Sequence, residues 1–246
     1  MKKHSLPHRF LQVLLGVLIA LVLTCALYVG NYYHADAVAQ AALVSSDDIS
    51  ITHQGSTWVF APQQPQAGLI FYPGAKVEAT AYAPLMRELA QRGVLCVLVK
   101  MPCNFAFLNP NAADGIAPQY PDVTDWYIGG HSLGGAMAAS YAADHTDSLD
   151  GLVLLAAYST KDLTESGLRV FTAYGSEDGV LNRKTYAADF PNLPDNTVEL
   201  VISGGCHAGF GCYGRQSGDG TPSIAGAEQT VQTADALAEW MLEPAN

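Results

Sequence analysis

Residues 126–139 read Trp126-Tyr127-Ile128-Gly129-Gly130-His131-Ser132-Leu133-Gly134-Gly135-Ala136-Met137-Ala138-Ala139. The first residues form a short apolar run of the kind a buried strand makes. The last ones are small, with good helix propensity. Between them lies G-x-S-x-G, Gly130 to Gly134. Alone this pattern is a weak signal, because glycine and serine are common. Its setting strengthens it: strand directly before, helix directly after, with the serine at a sharp turn. Such a turn holds its serine at a strained backbone angle and brings helix and strand together, so the flanking positions must lack bulk. The turn lifts the Ser132 hydroxyl clear of the sheet. It also sets the Leu133 N–H at a helix N-terminus, where partial positive charge favours a developing oxyanion.

Outward from this stretch, apolar runs alternate with helical patterns. The runs are Gly68–Tyr72, Val94–Lys100, Leu152–Ala156, Arg169–Ala173 and Val198–Ile202. Glu78–Gln91, Phe105–Gln119, Leu133–Asp144, Arg183–Phe190 and Ile224–Leu242 are expected to be helices. Tyr82, Leu85, Met86 and Leu89 give the first of these an apolar stripe, and Val231, Ala234, Leu237 and Trp240 are expected to do so for the last. Ile49–His53 and Thr57–Ala61 read as an edge hairpin. The alternation predicts an α/β fold: a mostly parallel sheet covered by helices on both faces. The short gap from Ala157 to Arg169 leaves no room for a substantial lid.

A serine hydroxyl needs a base to take its proton. With this turn motif the acid and base follow in the order Ser, Asp or Glu, His. Of the seven histidines, His4, His8, His34 and His53 come too early. His131 is expected to point away from the serine side chain, and His145 ends the helix after the turn. Only His207 remains, in the Gly-rich loop Ser203–Gly209 after an apolar run. The acid should follow the preceding run, where Gly175-Ser176-Glu177-Asp178-Gly179 offers two carboxylates. Asp178 is favoured, with Glu177 and the more distant Asp162 as alternatives. A second oxyanion donor is expected from Phe71-Tyr72-Pro73-Gly74-Ala75, the Ala75 N–H first and Gly74 second.

The chain has 246 residues, with 12 Lys+Arg against 23 Asp+Glu. That length supports one substantial core, and the acidic balance argues against a nucleic-acid partner. The N-terminus differs in character. Lys2, Lys3 and Arg9 precede an apolar run from Phe10 to Val29, interrupted only by Gln12 and Thr24, about the ~20 residues a spanning helix needs. We expect residues 1–30 to be a membrane anchor, 31–47 a linker and 48–246 the catalytic domain. The small residues of Ala35-Asp36-Ala37 keep a cleaved signal segment as the alternative, and Thr24 before Cys25 is a poor fit to a lipid-attachment site. The positive-inside rule places the domain outside the cytoplasm. There Cys206 and Cys212 could form a bridge across the His207 loop, with Cys103 as a further candidate. Cys96 reads as a core thiol. A metal site at Cys206, His207 and Cys212 lacks the paired C-x-x-C spacing.

In the residues Phe71–Val77, Gly129–Ala139, Tyr174–Gly179 and His207–Gly214 the chain resembles the small, lidless α/β-hydrolases, near the dienelactone-hydrolase-like branch and the α/β-hydrolase fold-5 domains. The resemblance spans roughly residues 55 to 243. It implies a cofactor-free, metal-free hydrolase acting on a small-molecule ester, with no obligate protein partner. Dienelactone hydrolases proper carry a cysteine where this chain has Ser132, so lactone specificity does not carry over. Phe210–Gly220, with Tyr213, Arg215, Gln216 and Asp219, looks like a family feature beside the site. Hydrolysis of a carboxylic ester or thioester through an acyl-enzyme is expected. An acyltransferase with the same residues and a catalytically silent binding protein are the alternatives.

Overall fold

The structure is a computed structural model that describes residues 8–243; the basic residues Lys2 and Lys3 lie outside the described residues. Two compact units are present, divided after Tyr32. The first is helix α1, His8–Gly30. Its stretch Phe10–Gly30 is long and apolar enough to cross a membrane or to serve as a signal sequence, and none of it is buried.

The second unit begins at Tyr33. Helix α2, Ala37–Ala41, is capped by Asp36, whose carboxylate accepts from the Val38 and Ala39 N–H groups. Strands β1, Ile49–Gln54, and β2, Thr57–Pro62, form the expected antiparallel hairpin. Six further strands follow: β3 Ala67–Tyr72, β4 Val94–Val99, β5 Trp126–His131, β6 Gly151–Leu155, β7 Arg169–Gly175 and β8 Val198–Ile202. The sheet order is β1-β2-β4-β3-β5-β6-β7-β8. From β4 to β8 every pairing is parallel. The α-helices after the hairpin are α3 Ala83–Gln91, α4 Leu133–Asp144, α5 Arg183–Asp189 and α6 Gly226–Leu242.

The central strands β3 to β6 are buried on both faces, which is why they read as unbroken apolar runs, while the outer β1 and β8 are largely exposed. Successive side chains point to opposite faces. Leu69 and Phe71 of β3 enter one core with Cys96 and Leu98 of β4, Leu85 and Met86 of α3, and Leu237 and Trp240 of α6. Ile70 and Tyr72 enter the other with Leu95 and Val97, Ile128 of β5, and Ala138 and Ala142 of α4.

Three expectations need correction. Phe105–Gln119 is not an α-helix; only short 3-10 turns occur, at Ala106–Leu108 and Ala117–Gln119. Pro110 and Pro118 lack the N–H an α-helix requires, and Gly115 takes φ +70°. The stretch remains in the core instead through Ala113 and Ile116, and the Tyr72 hydroxyl accepts from the Ala113 N–H. In α6, Val231 faces outward, 39% exposed, while Thr230, Thr233, Ala234, Leu237 and Met241 carry the buried face. The expected stripe missed the two threonines because their hydroxyls are satisfied by carbonyls four residues back. Finally, the five cysteines are free thiols, Cys206 and Cys212 included.

The segment from Tyr33 bonds to the domain rather than leading loosely into it. Tyr33 forms a parallel bridge with Val77. Its N–H donates to the Lys76 carbonyl (2.7 Å), and its carbonyl accepts from Glu78 (2.9 Å).

Candidate active site

The candidate residues lie on the loops that leave the carboxyl ends of the parallel strands β3 to β8, the edge at which open α/β sheets place their ligands. Backbone strain concentrates there. Lys76 after β3, Cys103 and Asn104 after β4, Ser132 after β5 and Ala156 after β6 are all non-glycine residues with positive φ. Each such residue costs on the order of 1–3 kcal/mol unless its surroundings enforce it.

Ser132 has φ 53° and ψ −125° and sits at the N-terminus of α4. Its N–H donates to Leu155 of β6 at 2.9 Å. The motif glycines are required by close approach. A Cβ on Gly134 would lie 2.2 Å from the Tyr72 carbonyl and 2.3 Å from that of Pro73. One on Gly130 would lie 2.5 Å from the Gly134 backbone. The end of β3 thus rests directly on the turn, carrying Gly74 and Ala75 beside α4.

Of the two loop donors weighed from the sequence, Gly74 is engaged: its N–H donates to the Tyr82 hydroxyl at 3.1 Å. Among the described residues neither the Ala75 nor the Leu133 N–H has a hydrogen-bond acceptor. Tyr82 in turn lies 2.7 Å from His131 Nδ1. Which atom donates in this bond follows the His131 tautomer, that is, whether Nδ1 or Nε2 carries the proton. The Nε2 of this ring is buried without a partner. Burial first, and the nearby His207 second, hold His131 well below the ordinary histidine pKa, so it stays neutral.

His207 opens a short 3-10 turn, His207–Phe210, after β8. Its Nδ1 lies 2.9 Å from Asp178 Oδ2, and the two side chains are 1% and 0% exposed. Asp178 Oδ1 accepts from Val180 and Leu181 N–H, both at 2.8 Å. A carboxylate so placed only accepts, so the histidine proton sits on Nδ1 and the Nε2 lone pair is free. Nε2 is buried without a partner. The imidazole packs on the elbow: its ring centroid is 4.4 Å from that of His131, the residue before Ser132. The Ser132 hydroxyl itself makes no hydrogen bond among the described residues. Of the other candidates, Glu177 is exposed and accepts from Ser176, and Asp162 accepts from Thr164 on the surface. His145 is bonded to the Tyr141 carbonyl.

Three side chains beside these loops carry no mark of their position in the sequence: Tyr82 and His131 bond to each other beneath the Gly74 turn, and Asp219 accepts from backbone amides on the loops of both Asp178 and His207. Paired glycines and aspartates around the histidine loop are the only sequence signal for this. A cleft of about 500 Å³ also opens behind the His207 loop, lined by Val38, Pro84, Cys212 and Gln216 among others. Neither Ser132 nor His207 lines it, so it is not the place of the reacting carbonyl.

No curated protein sequence matches this chain. Solved structures do share its fold. Est1E from Butyrivibrio proteoclasticus, in complex with ferulic acid, aligns with a TM-score of 0.59 at 15% identity, covering 82% of this chain and 99% of that one. Dienelactone hydrolase from Anabaena variabilis gives 0.60 at 13%, covering 81% and 100%. Carboxyl esterase 2 from Tuber melanosporum gives 0.59 at 10%, covering 87% and 92%. A sequence profile of the alpha/beta hydrolase family matches residues 68–231, two-thirds of the chain and all of the strands that bear the turn, the acid and the histidine. The chain belongs to the alpha/beta hydrolase family.

Proposed function

We propose that this protein is a serine hydrolase that cleaves a carboxylic ester or thioester, with Ser132 as nucleophile, His207 as general base and Asp178 as the orienting acid. The observation that carries this reading is the buried Asp178–His207 pair, whose imidazole packs on the ring of His131, the residue before the strained Ser132. The proton on Nδ1 is fixed by Asp178, so Nε2 is the atom that takes the proton from the hydroxyl. Ser132 Oγ attacks the carbonyl carbon, and the oxyanion is received by the Leu133 and Ala75 N–H groups. The imidazolium then gives its proton to the leaving alcohol or thiol. Water, deprotonated in turn by His207, releases the acyl group from Ser132.

Esterases among the structures that share the fold support the ester as substrate class. The link from β6 to β7 is too short for a lid, which favours small or short-acyl esters over long chains held in a covered tunnel. Helix α1 is read as an uncleaved anchor, with the domain outside the cytoplasm. A panel of p-nitrophenyl esters graded by acyl length tests the proposal. Turnover highest for the shortest acyl groups and lost in Ser132→Ala is expected; no turnover of any ester by folded wild-type protein would refute it.

A further inference from the structure

Asp219 has no place in the chemistry just described, yet it touches both loops that supply it. Its Oδ1 accepts from the N–H of Gly179 at 3.1 Å, of His207 at 3.2 Å and of its own neighbour Gly220 at 2.8 Å. Its Oδ2 accepts from the Ala208 N–H at 2.8 Å. Gly179 directly follows Asp178, and Ala208 directly follows His207. One carboxylate therefore bonds to the chain next to the acid and to the chain at the base, which are 29 residues apart in sequence.

The loops are shaped for this contact. A Cβ on Gly179 would lie 2.7 Å from the Gly218 carbonyl and 2.8 Å from the Gly220 nitrogen. A Cβ on Gly220 would collide with the Glu177 carbonyl. The acid turn and the 218–220 turn can therefore meet only because both positions are glycine. Charge suits the arrangement as well. Burial raises the Asp219 pKa, but the amides of Ala208, Gly179 and His207 outweigh it and hold the carboxyl below its ordinary value. The group is an ionised acceptor facing converging donors, and charge-assisted bonds of this type are roughly twice as strong as neutral ones.

We propose that Asp219 is a positioning residue: it clamps the Asp178 turn to the His207 turn and thereby fixes the spacing at which the imidazole meets Ser132. The proposal rests on the serine-hydrolase reading for its kinetic consequence, but not for the clamp itself. The clamp has a narrow tolerance, since a misplacement of about 1 Å in a reacting group can cost about 100-fold in rate.

The test uses the full-length chain with Asp219→Asn and Asp219→Ala. Asn retains one acceptor oxygen but turns an amide donor toward Ala208, whereas Ala removes every bond. With p-nitrophenyl acetate, kcat should fall about 10-fold in the first and about 100-fold in the second, with KM within about 3-fold of wild type. Amide hydrogen exchange should accelerate about 10-fold or more at Gly179, His207 and Ala208 in Asp219→Ala, and stay at wild-type rates in β5 and α4. Wild-type exchange at Gly179 and His207 in Asp219→Ala would overturn the clamp, whatever the enzyme hydrolyses. Unchanged kcat with the exchange accelerated would overturn its role in catalysis. If the wild type turns over no ester, the hydrolase reading falls and exchange alone decides the clamp. Should Asp219→Ala not fold, exchange at Ala208 in Asp219→Asn decides instead: acceleration supports the clamp, and a wild-type rate overturns it.

Discussion

At the scale of single residues, the site is a chain of fixed protons. Asp178 can only accept, so His207 carries its proton on Nδ1 and offers a lone pair at Nε2. Exchanging Asp178 for Asn leaves the shape but frees the tautomer; kcat should fall by roughly 10³–10⁴-fold with KM little changed, as steady-state kinetics would show. His131 gives a second prediction, in stability. Its folded pKa lies well below the unfolded value of about 6.5, because it is buried beside His207. Between those two values the unfolded chain binds a proton that the folded one does not. Its neutral burial is therefore without penalty above about pH 6.5, and stability falls as the pH drops below that, by up to about 1.4 kcal/mol per unit. Urea unfolding at pH 5 and pH 7.5 should show the slope reduced in His131→Asn, whose oxygen can accept from Tyr82. An equal slope in both proteins would contradict this. Gly134→Ala belongs here too: its Cβ would meet two backbone carbonyls of the β3 end, and we expect a loss of about 3 kcal/mol in the same assay.

The turn at Ser132 and the loops that hold Asp178 and His207 were legible because each is tied to a local pattern: a glycine-flanked turn, or a loop after an apolar run. Asp219 and Tyr82 were not, because their roles depend on backbone amides that are distant in sequence. Nothing local to an aspartate marks it as the acceptor for two separate loops.

At the scale of elements, the succession of strands along the chain is the best-read feature. Runs apolar at almost every position mark the strands covered on both faces, β3 to β6, whereas the run with Glu199 forms the largely exposed β8. Phe105–Gln119 departs from the expected helix because Pro110 and Pro118 lack the N–H and Gly115 takes a positive φ. The segment from Tyr33 departs differently: small and polar residues suggested a linker, while its backbone pairs with the loop after β3. Tyr33 also accepts from the Ser217 N–H at 3.1 Å and packs on Tyr213 with ring centroids 5.5 Å apart. The Asp36 N–H donates to the Cys212 carbonyl at 2.9 Å. One short segment therefore braces the loop after β3 on one side and the loop carrying Asp219 on the other. Tyr33→Ala should destabilise the domain by about 2 kcal/mol, through the lost ring contact and hydrogen bond. Chemical unfolding would check this; an unchanged midpoint would mean the segment is not part of the fold's support.

At the scale of the whole molecule, the chemistry gathers at one rim. Of the loops at the carboxyl edge of the parallel strands, those after β3, β5, β7 and β8 carry two uncommitted amides, a strained serine and a buried acid–imidazole pair. The net charge of −11 argues against a nucleic-acid partner, and helix α1 is long and apolar enough to cross a membrane or to serve as a signal sequence. Everything proposed here turns on Ser132 being a nucleophile activated by His207. Reaction of the folded protein with a fluorophosphonate, followed by peptide mass spectrometry, is the sharpest test. One adduct, on Ser132, is expected, with the rate of labelling reduced at least about 100-fold in His207→Ala. Folded wild-type protein that takes up no label at Ser132, or labels as fast without His207, would show that the serine is not activated in this way.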